Sequence, residues 1–325
     1  MDMKTTRYIV LIFALTLCTI IRAQQEILYT QYMFSQLAVN PAYAGNDDGL
    51  SVTALSRKQW FGLQGSPTSY SLIGQALVNN KKSECRTFGS DNKRLVPLDN
   101  KEVGLGVILF SDQVGVSNTF ISSVAYSFKI KFSSEKRLSI GLQASMLNYR
   151  QLLTQLDNPN ANDPIFQDNF QTSKFNFGTG VFYESDRYYI GLSVPQVLEN
   201  SLNPNSKSDK TLRQYFFTGG YVFYLNRFYK FKPTIMTRYT EGLPAQFDLN
   251  ANLLYRDILW LGCSYRYTNS VNMNVEVLLS NNFRMGFAYD YPINEVNQVA
   301  HGSAEIMVNY VFLKSKKRIS NPRYF

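Results

Sequence analysis

The sequence contains one histidine, His301, within His301-Gly302-Ser303. It is the only side chain whose ordinary pKa suits a general base near neutrality. With Ser303 two residues on, the pair has the types needed for a hydrolytic base and nucleophile. Such chemistry also needs an orienting group brought into reach by the fold, and the chain offers none at a diagnostic spacing. The plainer reading of His301 is a residue in a turn. Metal chemistry is weaker still, since Cys18, Cys85 and Cys263 are far apart and the carboxylates are scattered. Asp157 to Asp163 (DNPNAND) places oxygen ligands as a calcium loop does, but no Glu closes it at the required distance. Neither a phosphate-binding loop nor a dinucleotide fingerprint occurs. The expectation is a protein with no enzymatic activity, metal or cofactor.

The repeated polar pattern lies elsewhere. Asp248, Asn250 and Asn252 alternate with Phe247, Leu249, Ala251 and Leu253. Asn272, Asn274 and Glu276 alternate with Val271, Met273, Val275 and Val277. Glu305 and Asn309 interrupt Ala304 to Phe312 in the same way, and Ser123, Ser127, Lys129 and Lys131 oppose Phe120, Val124, Tyr126, Phe128 and Ile130. A period of two puts one set on each face of a strand. The polar set either lines a watery pore or satisfies its own members in a filled lumen. Both signs of charge are present among many amides, so no ion selectivity follows.

The elements that must carry these residues are strands. About fourteen are predicted: 50–59, 68–78, 103–112, 118–132, 136–149, 175–184, 187–195, 213–225, 229–240, 245–256, 258–268, 271–280, 282–291 and 302–312. Strands of about ten residues with one apolar face and terminal aromatics suit a transmembrane antiparallel β-barrel better than a soluble sandwich. Every second connection is tight, as at Ser133-Ser134-Glu135, Ser185-Asp186, Asn226-Arg227, Arg256-Asp257 and Asn281-Asn282. These would be periplasmic turns, and 150–174, 196–212 and 292–301 would be external loops. Two connections break the rule: 79–102 is long on the periplasmic side, and the turn near Asn269-Ser270 is short on the external side. Glycines inside strands (Gly104, Gly106, Gly141, Gly178, Gly180 and Gly191) mark either bends in the wall or close packing. Bends are the simpler expectation.

Composition agrees with an exported barrel. Lys4 and Arg7 precede an apolar run from Tyr8 to Ile21, and Ala23 precedes a cleavage point at Gln24, so 1–23 reads as a signal peptide. Leu17 before Cys18 is too bulky for a lipoprotein site. Aromatics reach 14%, with 22 Tyr and 23 Phe among 325 residues. The net charge of +9 falls to +7 once the signal is removed. These charges are dispersed, which favours anionic lipid over nucleic acid as a partner. No composition break divides residues 50–312. The tail, 313–325, carries Lys314, Lys316, Lys317, Arg318 and Arg323 with no acid. Together with Lys81, Lys82 and Arg86 in the 79–102 connection, Lys316, Lys317 and Arg318 are candidate contacts for an acidic periplasmic partner.

Between signal and barrel lies the segment 24–49. Tyr29, Tyr32, Met33 and Leu37 recur at helical spacing, Asn40-Pro41 stops any helix, and Gly45 to Gly49 supplies turn chemistry. Its aromatics argue for a packed element at the periplasmic rim or inside the lumen, because burying each is worth about 1.5–3 kcal/mol. Gln31-Tyr32-Met33-Phe34, Asn40-Pro41-Ala42-Tyr43-Ala44-Gly45 and Arg57 with Gln59-Trp60 and Gly62 resemble the opening of the PorP/SprF family of Bacteroidetes type IX secretion proteins. Tyr289-Asp290-Tyr291-Pro292, His301-Gly302-Ser303, Glu305-Ile306-Met307 and Pro322-Arg323-Tyr324-Phe325 resemble its close. The resemblance implies an outer-membrane barrel with both termini periplasmic. It would assist export or surface anchoring of a large secreted protein or adhesin, alongside periplasmic type IX components. In gliding species such proteins place adhesins. A general porin or small-solute channel is the alternative.

Overall fold

In the computed structural model, the residues described are 31–32, 35–47, 49–78, 101–133, 136–155, 169–202 and 210–313. The wall consists of β1 (Leu50–Lys58), β2 (Thr68–Val78), β3 (Lys101–Val114), β4 (Ser117–Lys131), β5 (Arg137–Gln151), β6 (Phe170–Glu184), β7 (Tyr188–Val194), β8 (Gln214–Tyr221), β9 (Phe223–Tyr224), β10 (Tyr229–Thr240), β11 (Gln246–Tyr255), β12 (Leu259–Arg266), β13 (Ser270–Leu278), β14 (Phe283–Pro292) and β15 (Ser303–Leu313). Neighbours pair antiparallel, and β1 pairs with β15 through Ala54↔Val308 and Arg57↔Glu305, closing the sheet. β8 and β9 both pair with β10 and occupy one wall position, separated by Val222. The result is a fourteen-strand antiparallel barrel. Closure leaves no unpaired edge, as a lipid environment demands.

The period-two pattern becomes two faces. Outward positions are apolar and exposed, for example Leu142 (60%), Phe177 (58%), Leu249 (53%) and Met273 (69%). Inward positions are polar and buried, including Asn252, Glu276 and Glu305. Aromatic rings crowd the outer face where β1 begins and β15 finishes, which we term the terminal end. Tyr188 stacks on Tyr221, Tyr221 meets Phe223, Phe223 meets Phe231, and Tyr229 packs against Tyr255. Phe283, Tyr310 and Phe312 continue the belt. At the opposite, loop end, Tyr215 meets Tyr239, and Tyr70, Phe120, Tyr265 and Tyr291 are exposed on the same outer face. Two aromatic belts around an apolar band are the outer surface of a membrane-embedded barrel.

Several strands run further than their hydrophobic pattern predicts. β5 and β6 extend to Gln151 and from Phe170, reducing the connection to 152–169. β3 reaches Val114, and Gly115 in the left-handed region (φ 57°) allows a tight turn straight into β4. Tight turns therefore occur at both ends of the barrel. Polar terminal residues such as Gln113 and Gln171 continue the ladders here because backbone pairing, not burial, holds these extensions. The 79–100 connection, the DNPNAND string and the 314–325 tail lie outside the described residues.

Candidate functional site

Gln31, Tyr32 and residues 35–47 lie inside the barrel. Gln31, Tyr32, Leu37, Asn40, Ala42, Tyr43 and Ala44 are all buried. The expected helical turn takes the form of two 3-10 turns, Gln36–Ala38 and Pro41–Tyr43. Asn40 separates them. Its Oδ1 accepts from the Ala42 N–H at 3.0 Å, a cap that ends the orphaning of that donor. Pro41 follows at the first turn position, where no N–H is needed. The Asn40 Nδ2 then donates to the wall, to the Val181 carbonyl at 3.1 Å and the Leu192 carbonyl at 3.4 Å. Tyr43 sets its ring edge-on to Phe182, centroids 5.4 Å apart, and Phe182 stacks on Tyr189. Burial raises the phenol pKa of Tyr32 and Tyr43 well above its ordinary value, so both stay neutral.

The strand glycines are seats for this segment and not bends. A Cβ on Gly104 would stand 1.9 Å from the Ala44 carbonyl oxygen, and one on Gly141 2.1 Å from the Ala42 nitrogen. At Gly180 it would meet Asn40 Oδ1 at 2.1 Å, at Gly106 the Leu37 side chain at 2.7 Å, and at Gly191 Asn40 Nδ2 at 3.0 Å. Gly178 plays the same part for the backbone of Pro195, at 2.2 Å. The sequence expectation of bends is corrected on this point. A missing Cβ is needed because backbone lies on backbone there.

Polar networks pin the segment at each level. Toward the terminal end, the Asn46 side chain donates to Glu184 at 2.6 Å and accepts from Arg137 at 2.6 Å and Lys129 at 3.2 Å. Lys129 also donates to the Ala42 carbonyl at 3.3 Å. Gln75 accepts from the Gly45 N–H at 3.1 Å and donates to Asp47 at 2.8 Å. Ser127 and Ser193 donate to the carbonyls of Ala44 and Val39. At the deepest described point, Glu305 Oε1 accepts from the Gln31 N–H at 3.0 Å, and Glu305 Oε2 takes Arg57 at 3.1 Å. Arg57 reaches Asp290 with its other terminal nitrogen, at 2.5 Å. Signature residues from both ends of the chain (Gln31, Arg57, Asp290 and Glu305) thus form one buried cluster across the closing seam.

The remaining sequence candidates divide cleanly. Asp248, Asn250, Asn252, Asn272, Asn274, Glu276, Glu305 and Asn309 all face inward and are buried. Asn250 donates to the Tyr32 hydroxyl at 2.7 Å, Asn274 to Asn252 at 3.3 Å and Asn309 to Thr53 at 2.8 Å. Arg266 pairs with Asp248 at 3.1 Å and Arg284 with Glu276 at 2.9 Å. Gln59, Trp60 and Gly62 lie at the loop end. The Gln59 N–H donates to the Pro67 carbonyl, and the Trp60 N–H donates to Ser303 Oγ at 3.3 Å. Phe61 and the 301–302 backbone exchange two hydrogen bonds of 2.9 Å, and the exposed His301 ring lies beside Gly62. His301 and Ser303 therefore tie two loops together. Lys81, Lys82, Arg86, Lys316, Lys317 and Arg318 lie outside the described residues, and among those described no three potential metal ligands converge. Sequence reasoning placed Lys129 on the polar face but passed over Arg137, Glu184 and Gln75. Charged or amide residues at inward strand positions were the available signal.

The inward donors and acceptors are used on the protein's own N-terminal segment, as at Asn250, Lys129 and Glu305, or on neighbouring strands, as at Asp248 and Glu276. Among solved structures, the chain is similar to the Ralstonia pickettii toluene transporter TbuX, with TM-score 0.50, 11% identity, 85% of this chain and 92% of that one. The Acinetobacter baumannii outer membrane protein Omp33 matches with TM-score 0.45, 8% identity, 82% of this chain and 100% of that one. At such identities the likeness concerns the barrel fold. No curated protein matches the chain. Residues 21–310 match the family described as type IX secretion system membrane protein PorP/SprF, so the signature stretch, the seam cluster and the barrel between them identify the chain as a member of the PorP/SprF family.

Proposed function

We propose that this protein is a non-enzymatic accessory of type IX secretion that assists export or surface anchoring of one cognate large secreted protein or adhesin. The observation that carries this reading is the filled lumen. A family signature is used to seat residues 35–47 within the barrel, which argues against an open diffusion channel. The terminal end faces the periplasm in this reading, with the long connections outside and both chain termini periplasmic. The basic 79–102 connection and the 313–325 tail then share the side on which periplasmic secretion components act, and their charge suits an acidic partner.

The test compares the surface protein set of a strain lacking this protein with that of its parent. The expected result is loss of one large protein bearing a type IX C-terminal signal, while other surface proteins persist. Unchanged surface proteins with slowed small-solute uptake would instead support the porin reading. Replacing 81–100 with a short Gly-Ser turn, and separately deleting 315–325, tests the docking face. Wild-type export in both strains, at normal barrel abundance and heat-modifiability, would move the candidate contacts to the external loops.

A further inference from the structure

At the loop end the wall is open along one strand edge. β6 pairs with β5 over its whole length, from Gln151↔Phe170 to Arg137↔Glu184. On its other side it pairs with β7 only from Thr179↔Val194 to Glu184↔Tyr189. Beyond β7 the chain turns at Pro195 onto the inner face of β6, where the missing Cβ of Gly178 leaves room for the Pro195 carbonyl. The Val197 N–H still reaches the Phe177 carbonyl at 2.8 Å. Above that point side chains replace backbone. Asn176 accepts from the Leu198 N–H at 2.9 Å and donates to the Leu198 carbonyl at 2.8 Å. Asn200 Nδ2 donates to the Phe175 carbonyl at 3.1 Å.

The bonds at Phe177 and Phe175 show that the odd-numbered residues here aim their backbone groups away from β5. The N–H and C=O of Ser173 and Gln171 share that direction, and among the described residues no hydrogen bond reaches them. This edge is preformed, because β5 already holds residues 170–175 extended. Its outer face is polar: exposed Gln171 and Ser173 lie opposite Arg150 and Asn148, so it stands above the apolar band. Phe175, just below, has no strand beside it and is 69% exposed. A preformed, unpaired edge of this kind is a template for one more strand.

We propose that the edge at residues 170–175 receives an extended segment of the cognate secreted protein, added antiparallel to β6 with an apolar side chain over Phe175. The proposal rests on the secretion reading, in which the loop end faces the cell exterior. A second copy in the same membrane runs β6 in the same direction and offers only the less stable parallel pairing. The chain's own connections are poor strand material. Eight of the thirteen residues of 156–168 are Pro, Asn or Asp, and 203–209 contains no β-branched or aromatic residue.

The test places photoreactive p-benzoylphenylalanine at position 175 of the full chain in cells. Irradiation should give an adduct with the large secreted protein whose display depends on this chain, mapping to one segment of it. Ser173→Pro removes an N–H that faces away from β5 and so spares that ladder, since proline is tolerated at a strand edge. It should lower the adduct yield about tenfold, through a lost hydrogen bond and obstruction of the added strand, at unchanged heat-modifiability. Should Ser173→Pro not fold, Gln171→Pro must give the same fall. No adduct overturns the proposal, as does an adduct within the chain or with a second copy, or a yield that survives proline in a folded barrel. In each of those cases, loss of one surface protein on deleting the whole chain leaves the secretion reading standing without the edge. Unchanged surface proteins on deletion overturn the secretion reading and the edge partner together.

Discussion

Arg57 shows how much one side chain can hold in a filled lumen. It is buried and faces two buried carboxylates, Asp290 and Glu305, the second of which also takes the Gln31 N–H. Removing the cation leaves both carboxylates without their main compensation, a loss usually of about 3–5 kcal/mol. Arg57→Met should therefore lower the temperature at which the purified barrel loses its compact, fast-migrating form. Arg57→Lys should recover only part of that loss, because an ammonium cannot serve two carboxylates in a fork. Adding Asp290→Asn and Glu305→Gln to Arg57→Met should restore stability. If the triple variant is no better than the single one, the buried ion cluster is not what Arg57 supports.

At the scale of elements, the N-terminal segment and the strands that carry its seats are separable. Alanine is better tolerated than glycine in a strand interior by roughly 0.5–1 kcal/mol. Gly141→Ala and Gly180→Ala should thus leave the wall intact, yet their methyl groups would occupy space held by Ala42 and Asn40. The expected outcome is a barrel of normal heat-modifiability whose residues 36–45 exchange amide hydrogens rapidly. In the wild type the same amides should exchange slowly, since they are capped, internally paired or bonded to the wall. Fast exchange in the wild type would mean the segment does not stay seated. Gly74→Ala is the control, as its Cβ would meet nothing within 4 Å.

For the whole molecule, the contest is between a filled and an open cylinder. Contacts of residues 31–47 reach β2, β4, β5, β6, β7, β11 and β15 through side-chain hydrogen bonds alone. The purified protein should therefore show no steady single-channel conductance in a planar bilayer, and a chain lacking residues 28–47 should conduct. Ohmic conductance of the intact protein would revive the porin reading. Topology is tested on cells: single cysteines within 196–212 should be labelled from outside, and one at Asn281 should not. Labelling at Asn281 would invert the barrel.

How much of this was legible in the sequence follows from the range of the forces concerned. The period-two alternation of Asp248, Asn250 and Asn252 against Phe247, Leu249 and Leu253 is a local property, and it specified strands, faces and the barrel. The string Asn40 to Gly45 carried the family, and its aromatics argued for burial. Strand ends were less legible, because ladders such as Gln151↔Phe170 are held by pairing with a distant partner. The purpose of Gly104, Gly141 and Gly180 was invisible, since an absent Cβ has no pattern of its own. Only the tertiary structure brought Ala44, Ala42 and Asn40 against those positions. It alone joined Gln31 and Arg57 to Asp290 and Glu305, residues more than 230 positions apart. Barrel closure of β1 on β15 creates that proximity, and buried charge then requires that the partners meet.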